Sequence, residues 1–75
     1  MKDYNFLLFH KCIDNVDEAK SKVDKAKMEL IGSTYEADYT ATEDDVLHAI
    51  MYDMETVKCI LDKIHKNLCK LDKPI

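Results

Sequence analysis

From Leu47 onward the apolar residues fall at Leu47, Ile50, Met54, Val57, Leu61, Ile64, Leu68 and Leu71. They are spaced by three and four in unbroken alternation. A 3.6-residue period puts such positions on one stripe, so the spacing predicts a long helix laid against another helix. Thr42-Glu43-Asp44-Asp45 opens it. Thr42 is a capping residue, and three acids sit beside the positive end of the helix dipole. Asp45 stands where a capping box carries Glu or Gln, so that box is imperfect. Lys66 and Lys70 suit the far end and Pro74 stops continuation, which predicts a helix at about 43–69.

The same rhythm runs through Phe9, Cys12, Val16, Ala19, Val23, Ala26 and Leu30, and predicts a first helix at about 3–31. Asp3 is the candidate start, Glu18 and Lys22 stand at i and i+4, and Gly32 is the candidate left-handed residue after the end. Residues 32 to 41 have no sustained period and read as a loop of about ten residues. The expected fold is all-α. It is a single domain over 1–75, an antiparallel two-helix hairpin with Val16, Val23, Leu30, Leu47, Met54, Val57, Leu61 and Ile64 as core. Phe6, Leu8, Ile13, Met51 and Ile60 lie beside the main stripes, and one hairpin does not cover them. Pairing of two hairpins into a four-helix bundle is the expected solution, with a homodimer as the expected state.

Composition narrows the picture. The chain has 75 residues, 35% charged and 47% apolar, with one Gly, one Pro and no Trp. Such a short chain has too little interior for a large core. The net charge is −4, and all eleven basic residues are Lys. An acidic chain without Arg lacks both the basic surface and the bidentate fork that nucleic acids favour, so no nucleic-acid partner is expected. Three Cys within helical patterns read as reduced thiols, which points to a cytoplasmic protein. The apolar run near residue 6 is too short for a membrane span, so no membrane partner is expected.

Charge is distributed unevenly. Glu29, Glu36, Asp38, Glu43, Asp44, Asp45, Asp53 and Glu55 fall between Lys27 and Lys58, with no Lys among them. The hairpin tip is therefore acidic, and Lys2, Lys11, Lys63, Lys66, Lys70 and Lys73 gather at the other end. Glu36 and Asp38, with Tyr35 and Tyr39, are candidate contacts for a basic partner, although the tyrosines are expected mainly to seal the end of the helix pair. The segment lacks the D-x-D-x-D-G pattern of a calcium loop. His65 and Cys69 have metal-ligand spacing, but His10 and Cys12 diverge by about 200° on a helix and cannot both join them. No metal, cofactor or catalytic residue is assigned.

Two resemblances attach to the second helix. Glu43-Asp44-Asp45-Val46-Leu47-His48-Ala49-Ile50, followed by Cys59-Ile60-Leu61-Asp62-Lys63, resembles the small YaaL-like helical proteins of Firmicutes. These are two-helix proteins of unknown function, and the resemblance implies the hairpin without an activity. Lys58-Cys59-Ile60-Leu61-Asp62-Lys63-Ile64 is similar to the helix-two signature of the sporulation aspartyl-phosphate phosphatases, also helical hairpins. That signature carries Ser-Gln before Leu-Asp. Here Lys58 and Cys59 stand in those places, so the amide that would position water is missing and the activity is not carried over. The expected function is a non-enzymatic interaction module or regulator, an adaptor or phage-type inhibitor with an unknown protein partner. The alternative is a hairpin-type phosphatase or a metal-dependent enzyme using the acidic tip.

Overall fold

The computed structural model describes residues 3–72. Over them the chain is two α-helices and no strand, α1 (Phe6–Thr34) and α2 (Ala41–Asp72), packed along each other. Lys2, Lys73 and Pro74 lie outside the described residues, and with them the expected stop at Pro74.

The helix ends are set by different residues from those expected. Asp3 takes a left-handed φ of 55° and does not cap α1. Asn5 does, its Oδ1 accepting from the Leu8 amide at 3.1 Å. Tyr4, just before the cap, packs edge-on against Phe9 with ring centroids 5.3 Å apart. This is the hydrophobic staple that fixes how a chain enters a helix. At the other end Gly32 is not a stop. Its φ is not positive, and α1 runs on to Thr34. Ser33 and Thr34 donate their hydroxyls to the Leu30 carbonyl, each at 2.9 Å, so both side chains turn back onto the last turn of α1. The connection shortens to residues 35 to 40.

Thr40, not Thr42, opens α2. Its Oγ1 accepts from the Glu43 amide at 3.2 Å, and the Glu43 carboxylate accepts from the Thr40 amide at 3.0 Å. This reciprocal pair is a complete capping box, Thr40-Ala41-Thr42-Glu43, two residues upstream of the imperfect one centred on Thr42. The bonds from Thr40 hold the Glu43 carboxyl below its ordinary range.

The hairpin measures 55 × 16 × 14 Å. Its radius of gyration is 17.2 Å, against roughly 11 Å for a compact chain of this length. Its accessible surface is 6222 Å², about 1,500 Å² more than the roughly 4,700 Å² expected for a compact protein of its mass. No described residue is fully buried. Val16, Val23, Leu30, Leu47, Met54 and Leu61 are half-buried between the helices. Val57 and Ile64, expected in the same core, are exposed. The cause is rotational. The half-buried line on α2 is Leu47, Met51, Met54, Lys58, Leu61, His65, Leu68 and Asp72. The apolar stripe has therefore split, one seven-residue series facing α1 and the other, Ile50, Val57, Ile64 and Leu71, turned to one side.

Candidate interaction surface

The two flanks of the helix pair differ in kind. One is a ladder of ion pairs. Lys27 donates to Glu55 at 2.7 Å, Lys58 to Asp24 at 2.9 Å and Lys20 to Asp62 at 2.8 Å. His10 meets Asp72 at 2.9 Å. Each step of three, four and ten residues back along α1 matches the same step forward along α2, so one register accounts for all four rungs. Lys66 adds a second bond to Asp62 at 3.1 Å. The Lys20 hydrogen bond, then that from Lys66, holds the Asp62 carboxyl down at about 2. Bonds from Lys58 and Lys27 lower Asp24 and Glu55, and Asp62 and Asp24 raise Lys20 and Lys58. Met51 and Ile13 lie half-buried on this side, partly shielded by the charged stems.

The other flank carries no inter-helix ion pair among the described residues. Leu8, Lys11, Cys12, Asn15 and Ala19 of α1 line a shallow depression of about 500 Å³ with Leu61 behind them. On the α2 side of this flank Ile50, Val57, Ile64 and Leu71 are 39–55% exposed, with Val46 and Ile60 beside them. The outcome is a two-sided hairpin, one flank tied by ion pairs, the other without them and carrying an exposed apolar row on α2. An exposed apolar row of this kind is a candidate contact surface.

The sequence-derived contact residues divide between these places. Phe6, Leu8 and Ile60 are exposed, whereas Ile13 and Met51 are half-covered on the ladder side. Phe6 also packs on His10, ring centroids 4.2 Å apart. Glu36 and Asp38 are exposed at the tip. Tyr35 is 81% exposed and seals nothing, while Tyr39 lines an open cleft of about 410 Å³ with Val46 and Leu47. Cys12, expected in the core, is exposed. Sequence reasoning missed Ile50, Val57, Ile64 and Leu71 as surface because it laid the whole stripe against the partner helix and assigned Val57 and Ile64 to the core. The signal that could have separated them is the opposed charge of Lys20, Asp24 and Lys27 against Asp62, Lys58 and Glu55, which tells which way each helix turns.

The chemical candidates are less organised. Cys69 Sγ and His65 Nδ1 are 4.0 Å apart, and among the described residues no three His, Cys, Asp or Glu side chains converge on a cation position. Asp62 is engaged by two lysines. Among the described residues no helix is long and apolar enough to cross a membrane. The chain matches no family model, no curated protein and no solved structure.

Proposed function

We propose that the chain is a non-enzymatic interaction module, a small cytoplasmic regulator of the adaptor or inhibitor kind, that works as a homodimer through its helical surface. One observation carries the reading: no described residue is fully buried, while a row of apolar side chains on α2, Ile50, Val57, Ile64 and Leu71, lies exposed along the flank without ion pairs. A helix pair in this state gains little from water exclusion alone. Area supports a dimer. Two separate hairpins expose about 12,400 Å², and a compact particle of twice the mass is expected to expose roughly 7,900 Å². The difference, about 4,500 Å², falls in the range of obligate homodimer interfaces.

Association coupled to folding makes stability depend on concentration. Sedimentation equilibrium should give about twice 8.7 kDa, and the melting midpoint should rise across a hundredfold increase in protein concentration. A mass near 8.7 kDa throughout, with an unchanging midpoint, would overturn the homodimer.

A further inference from the structure

We infer that the flank opposite the ion-pair ladder is the seam of a head-to-tail homodimer, its two-fold axis passing beside Ile60. The inference rests on the dimer reading above and adds to it a face and an orientation.

The face follows from what each flank has left to offer. The ladder flank has its charges matched within the chain, and a partner there would have to break or desolvate four rungs. The other flank has no inter-helix ion pair to break among the described residues, although Lys11 and Asn15 stand at its α1 margin. Ala19 and Ala26 are small, so on the α1 side a second hairpin can approach closely, while α2 supplies the bulk.

The orientation follows from charge. The loop half of the hairpin, between Lys27 and Lys58, holds eight acids and no Lys; the rest of the chain holds eleven Lys and seven acids. Tips together would lay the two acidic halves side by side. Head to tail lays each acidic half beside a basic one. Only a second copy supplies this complement at matching length by necessity.

The position of the axis follows from the outward line of α2. Val46, Asp53, Ile60 and Asn67 recur every seven residues and all are exposed. Ile60, level with Lys22 in the register of the rungs, lies near the middle of the long axis. A two-fold axis there sets Ile60 against Ile60 of the second copy. It also brings the two polar breaks in the line together, Asp53 of one copy facing Asn67 of the other, since each is seven residues from Ile60. Asn can donate to a carboxylate, so neither polar group is left without a partner in the seam. Tips together would instead bring Asp53 beside Glu29 of the second copy.

The test replaces Cys12, Cys59 and Cys69 with Ala and then introduces single thiols. Ile60→Cys should give a covalent dimer on mild oxidation or with a short bismaleimide. Ala37→Cys, at the tip, should not. A separate variant, Ile64→Lys, should shift sedimentation to the monomer mass, while Tyr52→Lys on the outer back of α2 should leave the dimer intact. Circular dichroism at high protein concentration checks that the Cys variants remain helical. If the natural chain is monomeric at every concentration, the dimer and this inference both fail. If it is dimeric but Ala37→Cys cross-links and Ile60→Cys does not, the orientation alone is wrong. If it is dimeric and indifferent to Ile64→Lys, the face is wrong.

Discussion

Asp62 is the most heavily engaged side chain on the ladder, bound by Lys20 across the helix pair and Lys66 along its own helix. Its carboxyl sits at about 2 instead of 3.8. A carboxyl lowered by folding adds stability that is complete above its ordinary value and drains away as the pH falls toward its folded value. Asp24 and Glu55 are lowered in the same direction by Lys58 and Lys27. The melting midpoint should therefore be level between about pH 5 and 10 and fall between about 4 and 2. Lys20 and Lys58 are raised, so their contribution is present below about 10.5 and lost as the pH climbs past it. Thermal melts of Asp62→Asn should show a shallower acid fall than the natural chain. An identical acid profile would mean the bond to Lys20 does not persist in solution. These groups remain partly open to water, so molar salt should weaken the same effect.

At the scale of the element, Gly32 tests where α1 ends. It lies within the helix, and a methyl group added there would meet nothing within 4 Å. Gly32→Ala should raise stability by about 0.4–1 kcal/mol, chiefly by narrowing the unfolded ensemble. A loss of stability would place Gly32 in a left-handed stop instead, and chemical denaturation gives the sign directly. This residue also shows how far the sequence could be read. Two long helices, their antiparallel packing and their approximate spans were legible because a three-four rhythm without internal Pro admits little else. The ends were not, because each had two chemically competent candidates. Thr40 and Thr42 both can cap, and only Thr40 has a Glu three residues on. Asp3 and Asn5 compete likewise, and the staple from Tyr4 to Phe9 favours Asn5. The face was half legible. A three-four stripe is broader than one helix contact, so periodicity alone left undecided which seven-residue series on α2 turns inward. The match of Lys20, Asp24 and Lys27 with Asp62, Lys58 and Glu55 decides it, and that match is visible only once the register is known.

At the scale of the whole molecule, the rungs are nested. The innermost, Lys27–Glu55, spans 28 residues of chain and the outermost, His10–Asp72, spans 62. Closing the outermost first would confine the longest loop, but once the innermost has formed each later rung confines only three, four or ten further residues of each helix. The hairpin is thus arranged to zip, beginning beside the short connection capped by Thr40 and Glu43 and finishing at the open end. Opening should run in reverse. Amide hydrogen exchange at low protein concentration should show protection greatest around Lys27 and Glu55 and declining steadily toward Phe9 and Leu68. Uniform protection along both helices would indicate all-or-none opening instead. Chain emerging from synthesis meets the same geometry: α1 has no partner until the residues after Thr40 appear, and each added turn of α2 then reaches back to a turn of α1 already made. The last rung, His10–Asp72, waits on the final turn of α2.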